Sequence, residues 1–332
     1  MPTSPFALSD KNGIAAPKTK GAAAPVGVAA PEAKGAAAPQ LHSVATRDGA
    51  ELSLRVYGPV DAPRLVVSHG NGLASDGYRC FWEPLADEFQ VVVLDLRGHG
   101  LSRGSDDALH TWNQLVDDLE AVSRYLDAAL GPRPTFGVFH SLSAVVSVGH
   151  LRRYGPRWCG LLLFDPPLPP PDGHPLHGVH VANMTELARG ARVRQREFGS
   201  PDALATRFAR APMFRRWRPD ARTAMARALL RRDLPNQWEL ACPPELEARI
   251  FESNTDTTLW SVVRNPGIPC QVVGGDPGIA GAQSPALMGL AAARKYGIDY
   301  VFVPDTTHFL QLERPDECGA IARAFCRANG GR

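Results

Sequence analysis

The sequence predicts an α/β fold built on a mostly parallel central sheet with helices on both faces. Three observations carry this expectation. Continuous apolar runs of strand length (Arg64–Ser68, Phe89–Leu94, Thr135–Phe139 and Gly160–Phe164) alternate with helix-like segments, as strands of a parallel sheet covered on both sides do. Two shorter alternating segments come first, His42–Thr46 and Ala50–Tyr57, and flank Asp48-Gly49, a dipeptide that marks an opening β-hairpin. The alternation then breaks over residues 166–265 and resumes with Cys270–Val273 and Tyr300–Val303.

In chain order, residues 1–40 are dominated by Ala, Pro, Gly and Lys with almost no large apolar side chains, and Lys-Gly-Ala-Ala-Ala-Pro occurs at both Lys20–Pro25 and Lys34–Pro39. Such a segment cannot offset its ordering entropy, so a disordered tail is expected there. The hairpin and the first parallel strand follow, and Gly77–Glu88 reads as a helix between that strand and Phe89–Leu94. Thr111–Leu130 carries Trp112, Leu115, Leu119, Val122 and Leu126 at spacings of three and four, which predicts one apolar helical face. Thr111 with Gln114 forms a capping box, and Gly131-Pro132 supplies the stop. Leu142–Tyr154 and Pro315–Arg327 read as further helices. The core is therefore expected over residues 41–165 and 266–332, with residues 166–265 inserted as a helical lid that includes Met184–Phe198 and Pro219–Arg232.

Composition narrows the classes of function. The 332 residues are 44% hydrophobic and 21% charged, with a formal net charge of +2, which suits a globular chain and gives no general reason to expect a nucleic-acid partner. No apolar run approaches the roughly 20 residues of a membrane helix, so no integral membrane association is expected. The N-terminus lacks the basic-then-apolar layout of a secretory signal. Six cysteines without a C-x-x-C pair read as reduced thiols and a cytoplasmic setting. Oligomeric state is not encoded in any of these features.

Ser141 stands between a predicted strand and a predicted helix, in Val-Phe-His-Ser-Leu-Ser-Ala (Val138–Ala144). That is the setting of a nucleophile elbow, where a tight turn lifts the serine hydroxyl clear of the sheet edge. The pattern G-x-S-x-G has glycine two residues to either side; here those places hold Phe139 and Ser143.

Four separated stretches resemble the α/β-hydrolase family, in its serine-nucleophile branch with a helical lid. They are His69-Gly70-Asn71-Gly72, Asp95-Leu96-Arg97-Gly98-His99-Gly100-Leu101-Ser102, His140-Ser141-Leu142, and Thr307-His308-Phe309-Leu310 followed by Glu313-Arg314-Pro315. The resemblance runs from about Leu41 to Asn329 and is weakest in the inserted segment. It implies Ser141 as nucleophile and His308 as its general base. It further implies an oxyanion hole from the Leu142 N–H and a first-loop N–H, that of Asn71 or of its neighbour Gly72. For the acid partner of His308, chain order favours Asp276. In most of the family that residue sits about two places further on, where this chain has Gly278, while some relatives place it after the preceding strand, where Asp165 stands. Asp95 and Arg97 resemble residues that keep the second loop in shape.

The chemistry implied is attack by Ser141 on an ester, thioester or lactone of a small-molecule acyl substrate, then hydrolysis of an acyl-enzyme. Aspartate-dependent dehalogenases and epoxide hydrolases are excluded by the serine. Acyl transfer, C–C bond hydrolysis on the same residues, and a non-catalytic binding protein are the alternatives. No cofactor or metal is expected: His174, His177 and His180 recur every three residues, but proline and glycine break the segment. In the insert, Phe198, Phe208, Met213, Phe214 and Trp217 either line an apolar pocket or pack on the core. Nine arginines between Arg189 and Arg218 read as a solvated helical face or as a basic rim for anionic substrates.

Overall fold

The apolar runs become strands because each is wide enough to be covered on both faces. The structure is a computed structural model that describes residues 38–234, 237–279 and 284–330. The tail expected over residues 1–40 lies outside the described residues as far as residue 37. Strands β1 (Gln40–Ala45) and β2 (Glu51–Tyr57) form the expected hairpin, with Gly49 at φ 89° in its turn. Strands β3 (Arg64–Ser68), β4 (Gln90–Leu94), β5 (Thr135–His140) and β6 (Gly160–Phe164) follow, and every residue in all four is buried.

The helix expected over Gly77–Glu88 is shorter than its apolar pattern suggests. Only α1 (Arg79–Trp82) is α-helical, flanked by 3-10 turns at Ser75–Tyr78 and Glu83–Leu85. Pro84 lies in the second turn and has no N–H to continue the α-helical ladder. Helix α2 (Trp112–Leu130) is capped by Thr111, whose hydroxyl accepts the Gln114 N–H at 3.3 Å, and it ends at Gly131 with φ 77°. The Gln114 side chain turns forward to Asp118, so only one half of the capping box forms. Helix α3 (Leu142–Tyr154) begins directly after Ser141.

The insert holds α4 (His177–Arg192), α5 (Pro201–Arg210), α6 (Pro219–Leu229), α7 (Pro244–Glu252) and α8 (Leu259–Arg264). It also holds a small antiparallel sheet of β7 (Glu197–Phe198), β8 (Leu230–Leu234) and β9 (Gln237–Leu240), which the sequence did not announce. Strand β8 takes the last residues of the helix expected over Pro219–Arg232. Helix α6 packs on the turn at Ser75–Tyr78, and α8 packs on α3 with Trp260 in the core of the sheet.

After β10 (Cys270–Gly274), helix α9 (Ser284–Tyr296), β11 (Asp299–Phe302), α10 (Leu310–Glu313) and α11 (Pro315–Asn329) close the chain. The eight-stranded sheet runs β1-β2-β4-β3-β5-β6-β10-β11; its first two junctions are antiparallel and the rest parallel. One apolar cluster on it includes Leu119 of α2, Val145 of α3 and Met288 of α9; a second includes Trp82 of α1, Met225 of α6 and Phe325 of α11. Helices therefore cover both faces. No helix among the described residues is long and apolar enough to cross a membrane.

Two local features of this core are open to test. The ring of Phe139 lies over Gly137, so a methyl group at residue 137 would sit 2.3 Å from a Phe139 ring carbon and 2.7 Å from Leu161. Gly137→Ala is expected to lower stability by about 1–3 kcal/mol through overpacking, read as a fall in Tm. Glu120 of α2 joins α3 and the segment before β6: burial alone would raise its pKa, yet bonds from Arg157, Arg124 and His150 hold it at about 2 against an ordinary 4.5. A depressed carboxylate stabilises the fold above its unfolded pKa, and that contribution is lost as pH falls through its folded value. The stability advantage of the wild type over Glu120→Gln is expected to be about 1–3 kcal/mol at neutral pH and to vanish near pH 2, by denaturant titration.

Candidate active site

A parallel sheet brings the carboxyl ends of neighbouring strands to one edge, and the candidate residues are the first ones past those ends. Ser141 follows β5 with φ 52° and ψ −112°, a left-handed backbone that a non-glycine residue adopts only under constraint. Its N–H donates to the Phe164 carbonyl of β6 at 2.9 Å. Ser143, standing where the motif has its second glycine, donates its hydroxyl to the His140 carbonyl at 3.0 Å and accepts the His140 N–H at 3.1 Å. At the other departure, Phe139 is accommodated because the glycine lies two residues earlier, at Gly137. The elbow keeps its shape with different residues.

His308 lies between β11 and α10. Its Nε2 is 3.0 Å from Ser141 Oγ and its Nδ1 is 2.7 Å from Asp165 Oδ2. An ionised carboxylate only accepts, so Nδ1 carries the proton and the Nε2 lone pair faces the serine hydroxyl. Asp165 is the first residue after β6, is 1% exposed and has φ 42°. Its N–H donates to the Val273 carbonyl, and its Oδ1 accepts the Gly275 N–H at 3.2 Å. The carboxylate thus sits between the ends of β6 and β10, facing the histidine loop.

The preference for Asp276 is corrected by this geometry. Asp276 Oδ2 accepts the Asp305 N–H at 2.9 Å and Oδ1 accepts the Gly278 N–H at 2.8 Å. One oxygen is tied to the loop that carries His308 and the other to its own loop after β10, and the structure brings Asp165 to the imidazole.

Gly70 lies so close to the elbow that a methyl group there would be 3.0 Å from Ser141 Cβ. This approach sets the first loop, residues 69–73, beside the serine. Among the described residues, the N–H groups of Asn71 and Leu142 have no hydrogen-bond acceptor in the protein. The alternative donor Gly72 is corrected, because its N–H is taken by His99 Nε2 at 3.1 Å. His69 Nε2 likewise accepts the Leu96 N–H at 3.1 Å, so the first and second loops are stitched together by histidines that burial keeps neutral. The Asp95 carboxylate accepts the Ser75 and Leu101 N–H groups and pairs with the buried Arg55 at 2.9 Å. Arg97 pairs with Asp48 and Asp118. Both hold loops, as the resemblance implied.

The insert reaches the site at a residue that no sequence signal marked. Asn71 Nδ2 donates to the backbone carbonyl of Glu247 in α7 at 2.8 Å. The Glu247 carboxylate pairs with Arg194 against Gly72. Phe208 and Trp217 are buried; Phe214 and Trp217 meet the ring of Phe309, the neighbour of His308, edge-on, and Phe208 packs behind them. Phe198 is half-buried in β7, and Met213 is 48% exposed. Of the crowded arginines, Arg189, Arg192, Arg194, Arg196, Arg216 and Arg218 each pair with a carboxylate, so most of that charge is neutralised locally.

Among the described residues, His99, His110 and Cys242 form the one group whose ligand atoms lie within 4.8 Å of one another. Both nitrogens of His99 are engaged, Nδ1 with the Arg97 carbonyl and Nε2 with Gly72, so a metal there would displace the Gly72 N–H. His174, His177 and His180 are engaged separately, with the Leu176 N–H and with the carbonyls of Pro170 and Asn254.

Residues 65–321 match the model of the alpha/beta hydrolase family. Among curated proteins, the chain is 36% identical over 78 residues to a proline iminopeptidase, PfmaB, of Pestalotiopsis fici, covering 23% of this chain and 27% of that protein. It is 34% identical over 116 residues to the bifunctional esterase/perhydrolase DCH of Acinetobacter calcoaceticus, covering 33% of this chain and 39% of that protein. The chain thus spans well under half the length of these two relatives. Among solved structures, E-2-(acetamidomethylene)succinate hydrolase superposes with a TM-score of 0.68 at 19% identity, over 87% of this chain and all of that one. The match of the family model over most of the chain, together with this fold, establishes that the chain belongs to the alpha/beta hydrolase family.

Proposed function

We propose that this protein is a serine hydrolase that cleaves a carboxylic ester, thioester or lactone through an acyl-enzyme on Ser141. The observation that carries the reading is the line of contacts Ser141 Oγ–His308 Nε2 and His308 Nδ1–Asp165, flanked by the two uncommitted N–H groups of Asn71 and Leu142. Ser141 Oγ attacks the substrate carbonyl while His308 Nε2 takes its proton, and Asp165 holds the tautomer and stabilises the imidazolium. The Asn71 and Leu142 N–H groups receive the oxyanion, each such donor being worth about 3–4 kcal/mol in the transition state. His308 returns the proton to the leaving alcohol or thiol. It then takes one from water, which attacks the acyl-enzyme and releases the acid and the free serine.

Further support comes from two curated relatives, a bifunctional esterase/perhydrolase and a proline iminopeptidase. The substrate is a small acyl compound that enters beneath the insert, which acts as a lid: α7 rests on the first loop, and Ser141 is 8% exposed. All six cysteines are unpaired, which supports a reducing, cytoplasmic setting.

A fluorophosphonate probe is expected to label the wild type at Ser141 and to leave Ser141→Ala unlabelled; labelling that persists in the variant would remove Ser141 from the mechanism. On a p-nitrophenyl ester, Asp165→Asn is expected to lower kcat by about 10³–10⁴, as loss of a triad acid does, and Asp276→Asn by less than about tenfold. The reverse order would return the acid role to Asp276.

A further inference from the structure

The residue immediately before Ser141 is bonded to the loop that carries His308. His140 Nε2 lies 2.9 Å from the His308 carbonyl oxygen, and His140 Nδ1 lies 2.7 Å from the Tyr78 hydroxyl. A carbonyl oxygen can only accept, so Nε2 carries the proton and Nδ1 presents a lone pair. The Tyr78 hydroxyl therefore donates to His140, and one tautomer satisfies both bonds. Gly70 packs against the same imidazole, so that a methyl group there would lie 3.2 Å from His140 Nδ1, which brings in the first loop. Tyr78 and His140 are both buried, at 4% and 0% exposure.

We propose that Tyr78 and His140 form a positioning relay that fixes the backbone of the general base relative to the nucleophile and the oxyanion loop. The proposal rests on the reading of Ser141 and His308 given above. Neither residue touches the reacting atoms; both act through His308. The need for such a device follows from where His308 sits. The bonds to Asp165 and Ser141 orient the imidazole ring, but they place it only if the backbone of its loop is anchored. His140 supplies that anchor from the residue adjoining the nucleophile, so any shift of the elbow carries the base with it. Loss of about 1 Å of such registration costs on the order of a hundredfold in rate.

His140 suits this place beside a ring that becomes positively charged during turnover. The two imidazoles are 4.8 Å apart, centroid to centroid, and a second cation there would oppose proton transfer to His308. Burial pushes the His140 pKa well below its ordinary value, so the relay remains neutral.

The test removes one oxygen. Tyr78→Phe keeps the aromatic packing and leaves His140 Nδ1 without its donor, freeing the tautomer to invert and turn a lone pair toward the His308 carbonyl. On a p-nitrophenyl ester, kcat is expected to fall by about ten- to a hundredfold with KM changed less than about twofold, and the rate of fluorophosphonate labelling falls in parallel. His140→Gln, whose amide can still donate to the carbonyl, should retain more activity than His140→Leu. In the His140→Leu background, adding Tyr78→Phe should cost nothing further. An unchanged kcat in Tyr78→Phe, or a lowered Tm with full kcat in the folded protein, would overturn the relay; so would an equal cost of Tyr78→Phe in both backgrounds. Should His140→Leu fail to fold, the kcat-against-KM result for Tyr78→Phe decides alone. Wild-type protein that does not label at Ser141 overturns the hydrolase reading and the relay with it. Wild-type protein that labels no faster than Tyr78→Phe overturns the relay only.

Discussion

The backbone of Ser141, held at φ 52°, is the constraint around which the surrounding loops are built. A left-handed conformation at a non-glycine residue costs of order 1–3 kcal/mol, so it persists only where its surroundings enforce it. Here the enforcement is specific. The Phe164 carbonyl takes the serine N–H, the Ser143 hydroxyl closes on both polar groups of the His140 backbone, and α3 starts at the next residue. Gly70 admits the first loop against the serine, and Gly137 leaves room for the Phe139 ring. The strain places a hydroxyl outside the sheet edge, within reach of an imidazole that arrives from a strand three places away in the sheet order.

Much of this was legible in the sequence, because parallel strands buried on both faces must be continuously apolar. Strands β3 and β6 occupy the residues their apolar runs predicted, and α2 starts at its Thr111 cap and stops at Gly131. Ser141 and His308 could be placed at one edge of the sheet because each follows such a run. Asp165 could not be chosen over Asp276 without strand register. Pairing sets Phe164 level with Val273, so Asp165 emerges at the end of β10 while Asp276 is already turning into the next loop. That register is a tertiary fact, and chain order carries no trace of it.

The insert was legible only as helix-rich, for a related reason. Strand β7 has two residues and β8 reads Leu-Arg-Arg-Asp-Leu; neither is long or apolar enough to leave a strand signature beside adjacent helical patterns. The arginines gave a real compositional signal, but their partners Glu239, Glu247 and Glu252 lie far along the chain. A face that looks strongly basic in one dimension is largely compensated in three. Glu247 itself had no feature in the sequence to mark it, since its importance lies in a backbone carbonyl.

In the proposed mechanism that carbonyl sets an order of events. The backbone N–H of Asn71 has no acceptor among the described residues, while its side-chain amide is moored to α7. If α7 lifts to admit a molecule, the mooring slackens at the same residue that, in the proposed mechanism, receives the negative charge. Entry and stabilisation would then be mutually exclusive moments, because the donor is rigid only while α7 holds its side chain.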